Sequence, residues 1–227
     1  MPILSLDTSA AISVAVLGDD ETVWGQALHD DQRQHAELLA PLIQTLLADV
    51  EINPAELTGV AVGTGPGPFT GLRIGLVTAE TLAFALGIPI YGVCSLAALA
   101  TSAAAQHSLP IGAEIVAALD ARRKEIYWAR YRVTAGGELT EIVAPQVSAP
   151  TVLAGWVAES TKPSDKMLVV GEGALKYGLD NAKAPIFATA EWVGRIAQKR
   201  AASGIAQPTQ PLYLRRPDIQ GQAPQAM

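Results

Sequence analysis

Gly63-Thr64-Gly65-Pro66-Gly67-Pro68-Phe69-Thr70-Gly71-Leu72-Arg73-Ile74-Gly75 is the stretch of this 227-residue sequence that says most about its fold. An apolar run over 59–62 precedes it and predicts a short buried strand, and residues 72–86 predict a helix. Five glycines and two prolines in thirteen residues exclude a regular element over the whole stretch. We therefore predict a tight strand-to-helix turn whose backbone closely approaches a phosphate, a substrate or another protein.

Two phosphate-binding motifs fit this stretch poorly. A P-loop requires Lys and then Ser or Thr after its second glycine, whereas Gly71 is followed by Leu72 and Arg73. A dinucleotide-binding turn requires a third glycine at the position that Thr70 occupies. We favour a turn without a ligand over either motif.

The composition indicates a well-packed α/β protein, since 49% of the residues are hydrophobic and 17% are charged. A net charge of -6 argues against a general nucleic-acid surface, because affinity for phosphate comes mostly from clustered Lys and Arg. Basic residues do gather at 122–124, and we interpret them as a solvated turn. The single cysteine, Cys94, excludes an internal disulfide and suits a reducing compartment. Without a signal-peptide pattern or a long apolar run, we expect a cytoplasmic protein and no membrane contact.

The predicted elements repeat in the two halves of the chain. Each half begins with three strands and continues with alternating helices and strands, in the order βββαβα. Three antiparallel strands followed by α/β crossovers form a ribonuclease H-like core, and two such cores are the plan of the actin, Hsp70 and sugar-kinase (ASKHA) superfamily. We predict an α/β fold with an N-terminal lobe over 1–107, which carries a dimer interface, and a smaller lobe of the same type over 108–227 with a partly ordered tail.

Five segments, spread in order over nearly the whole chain, carry a resemblance to a known family: Leu6-Asp7-Thr8-Ser9 with Ser13–Val16, Arg33–Pro41, Gly63–Gly75, Gly87-Ile88-Pro89 and Pro211–Arg215. They resemble the bacterial TsaB (YeaZ-type) family of tRNA threonylcarbamoyladenosine synthesis. The glycine-rich segment is the specific one. One departure is Pro68, where the family usually has serine, so a hydroxyl and an N–H are missing from the loop.

The resemblance implies a noncatalytic scaffold or activating subunit. Its partner would be the homologous catalytic subunit TsaD, which transfers a threonylcarbamoyl group to the adenosine just after the anticodon in ANN-decoding tRNAs. The TsaE ATPase would be the third member of the complex. The resemblance also implies a homodimer when the chain is alone, and contact with tRNA only through the complex.

Residues for catalysis are not apparent. The metal-binding histidines of the catalytic relative correspond to Ser95 and Leu99, neither of which suits a metal. The three histidines His29, His35 and His107 do not lie at metal-ligand spacing, and Cys94 has no neighbouring base in sequence. We therefore predict no catalytic residues and no metal, and a peptidase would lack both a nucleophile–base pair and a metal.

Nucleotide binding is expected to be weak or shared at most. Asp7, Thr8 and Ser9 would form the first of two phosphate loops typical of the superfamily, and 120–124 the second. The first loop lacks glycine, and the second has arginines where glycine is expected. We predict no tightly held cofactor, with weak or shared ATP or ADP binding at Asp7, Thr8 and Ser9. The alternative is a small ASKHA-type ATPase or kinase with its own nucleotide site.

The first two helices carry more apolar side chains than one core-facing stripe requires. We predict that they form an interface with the catalytic homologue or with a second copy, through Leu38, Leu39, Leu42, Leu46, Gly71, Gly75, Val77, Ala79, Leu82 and Ala83. Small residues recur every fourth position in the second helix, a ridge that would let another helix come close. Two interpretations stay open: the ridge packs on its own sheet, or it joins a four-helix bundle with the partner.

Overall fold

The structure, a computed structural model, describes residues 2–30, 35–160 and 167–215, without the side chains of His35, Ala36 and Ser160. The sequence predicts the first helix over about 34–47, and its start at Gln34, like residues 216–227 of the predicted tail, lies outside the described residues.

The first lobe is one five-stranded sheet with helices. Its elements in chain order are β1 (Ile3–Asp7), β2 (Ile12–Leu17), β3 (Val23–His29), α1 (His35–Asp49), a 3₁₀ turn (Pro54–Glu56), β4 (Gly59–Gly63), α2 (Phe69–Leu86), β5 (Ile90–Val93) and α3 (Ser95–Gln106). The strand order is β3-β2-β1-β4-β5, with β1 antiparallel to β2 and parallel to β4.

The second lobe repeats this plan. Its elements are β6 (Glu114–Asp120), β7 (Ile126–Val133), a 3₁₀ turn (Ala135–Gly137), β8 (Leu139–Ser148), α4 (Pro150–Ser160), β9 (Leu168–Val170), α5 (Glu172–Lys176), β10 (Ala182–Lys183) and α6 (Ala190–Ala202). The strand order β10-β9-β6-β7-β8 is the counterpart of the first sheet. Two α/β cores of ribonuclease H-like type are thereby confirmed.

Two short elements escaped the sequence-based prediction. The helix α5 has five residues and the strand β10 has two, and segments so short show no periodicity. With them, the second lobe has the order βββαβαβα, as the first lobe does, so each lobe has one strand and one helix more than the predicted order βββαβα. The sequence predicts the strand β8 over 139–143, whereas in the structure it continues to Ser148, five residues further.

The last helix of each lobe lies between the two sheets. The helix α3 packs mainly on β6 and β7 of the second lobe, whereas α6 packs on β1, β2 and β4 of the first. Close approach is possible because α6 has Gly194 at the contact, where an added Cβ would lie 2.6 Å from Leu17. The two lobes, which the sequence predicts over 1–107 and 108–227, therefore share one central hydrophobic core.

The helices α1 and α2 cover the outer face of the first sheet, and α4 and α5 cover the outer face of the second. The 18-residue α2 is long and apolar enough to cross a membrane by length and composition alone, which is weak evidence because core helices of soluble proteins meet the same test. Only 33% of this helix is buried in the protomer. Much of its apolar surface consequently faces outward.

Candidate functional site

The glycine-rich stretch wraps around the turn formed by Asp7, Thr8 and Ser9 of the same chain. Each of three glycines faces one residue of this turn so closely that an added Cβ would clash: Gly63 at 1.9 Å from Asp7 Oδ2, Gly75 at 2.2 Å from Thr8 Oγ1, and Gly67 at 2.7 Å from the Ser9 carbonyl oxygen. The close backbone approach predicted from the sequence is therefore made to the chain's own first turn.

Hydrogen bonds lock this turn in place. The Asp7 carboxylate accepts from the Ser9 N–H at 2.9 Å and from the Ser9 hydroxyl at 2.5 Å on Oδ1, and from the Ser95 hydroxyl at 2.5 Å on Oδ2. The Ser95 oxygen in turn accepts from the Gly65 N–H at 3.2 Å. One buried carboxylate thus ties the end of β1 to the glycine-rich stretch and to the first residue of α3.

The predicted phosphate loop is closed in this protomer. Asp7 is 1% exposed, Thr8 and Ser9 are buried as well, and the Thr8 hydroxyl donates to the Gly71 carbonyl at 2.8 Å. A phosphate would have to displace both these hydrogen bonds and the glycine-rich backbone packed against the turn. Weak or shared nucleotide binding at these three residues stays a prediction, and it would require the turn to open, because the adjoining glycines pack against it.

Candidate catalytic groups are not assembled in the part of the chain that the structure describes. No group of three or more His, Cys, Asp or Glu residues there could hold a metal ion. Ser95 and Leu99 are fully buried. Burial raises the pKa of the Cys94 thiol, whose sulfur lies 3.8 Å from the Tyr131 hydroxyl beside a cavity of about 410 Å³. A protonated thiol is a poor nucleophile.

The predicted interface residues divide into two groups. Six are buried within the protomer: Leu39, Leu46, Gly71, Gly75, Ala79 and Ala83. Three are half-buried, Leu38, Leu42 and Leu82, and Val77 is exposed. The small-residue ridge thus packs on its own lobe, as in the first of the two interpretations, and the contact of these helices with a partner stays a prediction. Residues four apart lie on one helical face, and small side chains bring that face close to the 7–9 turn.

Comparison with known proteins places the chain in a family. Residues 28–207 match the family of TsaD, the tRNA N6-adenosine threonylcarbamoyltransferase. The tRNA threonylcarbamoyladenosine biosynthesis protein TsaB of Bacillus subtilis is 35% identical over 167 residues, which cover 73% of this chain and 68% of that protein. The chain belongs to the TsaB family. This confirms the resemblance drawn from the sequence.

Two further relatives agree. YeaZ from Pseudomonas aeruginosa, a solved structure, superposes with a TM-score of 0.77 at 28% identity, covering 94% of this TsaB-family chain and 100% of the other. An uncharacterized protein of Mycobacterium leprae is 36% identical over 222 residues, or 95% of this chain. The chain spans 55% of the length of that relative.

An apolar surface remains on the outer side of α2 in this TsaB-family chain. Val77 is 59% exposed and Phe84 is 90% exposed. Seven residues apart, they lie on one side of the helix, opposite the buried ridge. Half-buried Leu38 and Leu42 lie on α1, which packs beside α2. We call Val77 and Phe84 the outer helix face. Because Val77 and Phe84 are seven residues apart, the sequence alone could have indicated that Phe84 lies on the same helix face as Val77.

The C-terminal segment is fastened to the glycine-rich stretch. The Leu212 N–H donates to the Thr64 carbonyl at 2.9 Å, and Arg73 Nε donates to the Tyr213 hydroxyl at 2.9 Å. The Tyr213 ring lies 4.7 Å from that of Phe69. This contact joins residues about 140 positions apart, so sequence spacing gives no signal for it. The predicted tail thus contacts both lobes up to Arg215, which donates to a carbonyl of the second lobe.

Proposed function

We propose that this chain is a noncatalytic scaffold or activating subunit in tRNA threonylcarbamoyladenosine synthesis, with a TsaD-type homologue as its catalytic partner. Relatives are named as biosynthesis proteins of this tRNA modification, and the matching family carries the name of the transferase. A TsaE-type ATPase as third member, a homodimer when the chain is alone and a cytoplasmic location belong to the same proposal.

The outer helix face is the observation that carries the proposal. A Phe side chain that is 90% exposed leaves most of its apolar area in water, and transfer of such a side chain to an apolar surface is favourable by about 1.5–3 kcal/mol. Val77, which lies on the same face of α2 as Phe84, is also more than half exposed. Exposed apolar side chains on one face of a helix favour association, because aromatic residues dominate the energy of protein–protein interfaces.

The noncatalytic role is supported by the sealed first turn. Its carboxylate and hydroxyls are engaged by protein groups, and three glycines close the space around it. A catalytic carboxylate has to reach a substrate or an ion. Asp7 serves instead as a structural link between β1, the glycine-rich stretch and α3.

A matched pair of variants tests the partner surface. Val77→Glu puts a charge on the outer helix face, and Val152→Glu puts the same charge on α4, at a residue that is 60% exposed. Burying an unpaired carboxylate at an interface costs about 2 kcal/mol or more, so Val77→Glu is expected to weaken binding to the TsaD-type homologue at least roughly thirty-fold. Val152→Glu should leave the affinity unchanged. Isothermal titration calorimetry of each purified variant against the partner gives the comparison.

Both variants should keep the melting temperature of the parent chain, since both positions are exposed. Equal affinity of the two variants for the partner would refute the assignment of the outer helix face. Turnover of ATP by the purified chain alone would instead favour the kinase or ATPase alternative.

A further inference from the structure

The turn between β6 and β7 is the second-lobe counterpart of the sealed first turn, and it is open. Its residues Arg122, Arg123 and Lys124 are all exposed. They have φ angles of 62°, 52° and 60°, so three consecutive non-glycine residues adopt the left-handed conformation. Each such residue is disfavoured by contact of its Cβ with the backbone. Strain of this kind persists where the surrounding structure enforces it, and it concentrates at functional sites.

The surroundings do enforce it. Asp120, whose side chain is 3% exposed, accepts from the Arg122 N–H at 3.1 Å, from Lys176 Nζ at 2.5 Å and from the Tyr177 hydroxyl at 2.9 Å. Arg215 closes the other side, donating to the Ala121 carbonyl at 2.9 Å. The turn is therefore held rigidly with its three basic residues at the apex.

Cationic groups concentrate at this end of the second lobe in a chain whose net charge is -6. Five basic residues, Arg122, Arg123, Lys124, Lys176 and Arg215, lie on or beside this turn, together with the carboxylates of Asp120, Glu125 and Glu172. Lys176 is 49% exposed and Arg122 is 52% exposed even with their partner Asp120 in place. Their charges are accordingly presented to solvent.

We propose that the turn 122–124, with Lys176 beside it, is a contact site for the phosphodiester backbone of RNA. Arg and Lys side chains supply the sequence-independent grip on phosphates. An extended polyanion suits a row of exposed cations better than a single nucleotide does, because the corresponding turn of the first lobe, residues 7–9, is buried and packed against the glycine-rich stretch. The inference rests on the proposed function, which supplies tRNA as the RNA.

A double variant tests the site through two opposite effects. Arg123→Gly with Lys124→Gly removes two charges and also relieves the strain, since glycine accepts a positive φ without cost. The melting temperature should rise by roughly 2–4 °C. Affinity for an unmodified tRNA transcript, measured by fluorescence anisotropy at 50 mM salt, should fall on the order of ten-fold. The slope of log affinity against log salt concentration should shrink by about two, one for each lost phosphate contact.

Lys199→Ala with Arg200→Ala is the matched control. This control also removes one lysine and one arginine, but from the last turn of α6, on a different part of the surface. Its tRNA affinity and salt slope should equal those of the parent chain. Each titration is run with and without the TsaD-type homologue, and binding of that homologue is measured separately by gel filtration.

The outcomes separate the two proposals. If the homologue binds neither variant nor the parent chain, the proposed function fails, while tRNA titration of the chain alone still decides the RNA site. Unchanged tRNA affinity in the double variant, or an equal loss in the control, would overturn the RNA site. So would a loss of affinity for ATP with no loss for tRNA.

Discussion

Gly75→Ala distinguishes the buried ridge of α2 from an exposed one. An added Cβ at position 75 would lie 2.2 Å from Thr8 Oγ1, and that hydroxyl donates to the Gly71 carbonyl at 2.8 Å. At a solvent-facing helical position, replacement of glycine by alanine stabilises a protein by about 1 kcal/mol. Here that gain is opposed by crowding, about 1–3 kcal/mol, and by disturbance of the buried hydrogen bond, about 1 kcal/mol.

The opposing terms leave a net destabilisation of about 1–3 kcal/mol. For a chain of this length each kcal/mol corresponds to about 2–4 °C in melting temperature, so the expected drop is roughly 2–12 °C. Urea denaturation followed by circular dichroism gives the free energy of unfolding, and a thermal scan gives the midpoint. The isolated chain suffices, because the contact lies within one protomer.

A second substitution makes the test specific. Thr8→Ala removes the hydroxyl that the new Cβ would strike, while the next nearest atom, Thr8 Cβ, lies 3.3 Å away and is tolerable. The double variant should therefore be more stable than the sum of the two single effects, by about 1–3 kcal/mol. If Gly75→Ala stabilises the chain, or if the two substitutions prove additive, the packing of α2 on the first turn is wrong.

Three further substitutions probe other contacts. Ala79→Glu should destabilise the isolated chain by more than about 3 kcal/mol, seen as loss of the cooperative thermal transition, because Ala79 is 0% exposed and the carboxylate would be buried unpaired. Gly92→Ala should release the C-terminal segment and speed its limited proteolysis, since an added Cβ would lie 2.0 Å from the Pro208 carbonyl oxygen; an unchanged digestion pattern would contradict this contact. Burial alone would raise the pKa of Asp120, but hydrogen bonds from Lys176 and its neighbours hold that pKa below the usual 3.8, so the carboxylate stabilises the fold above about pH 4 and less as pH falls further. Asp120→Asn should thus lower the urea midpoint at pH 7 by more than at pH 3, and an equal difference at both pH values would refute the reasoning.

Most of the fold could be predicted because its elements are long and periodic. The strands β1 and β2 are mostly apolar segments between polar turns, and α2 is a long apolar segment after a glycine-rich turn. The family resemblance was equally accessible, since the segment 63–75 is specific in order and spacing. Elements of two to five residues, such as β10 and α5, give no such signal.

The site was predicted only in part. A tight backbone approach at the glycine-rich stretch follows from its composition, but its target could not be read from spacing. Gly75 and Thr8 are 67 positions apart, and Asp7 and Ser95 are 88 apart. The same limit explains the interface. A wide apolar band predicts that α2 is covered on more than one side, but periodicity alone does not tell which side packs on the sheet.

The sequence by itself determined the order of the longer elements, the repeat of two α/β lobes and the family, because local periodicity and turn chemistry act between near neighbours. Tertiary structure alone decided that α3 and α6 each pack on the sheet of the other lobe, and that three glycines close around the turn of Asp7. It also decided that Phe84 faces water while Ala79 faces the core. The physical reason is that close packing selects one among several compatible helix orientations, and that choice depends on atoms far away in the chain.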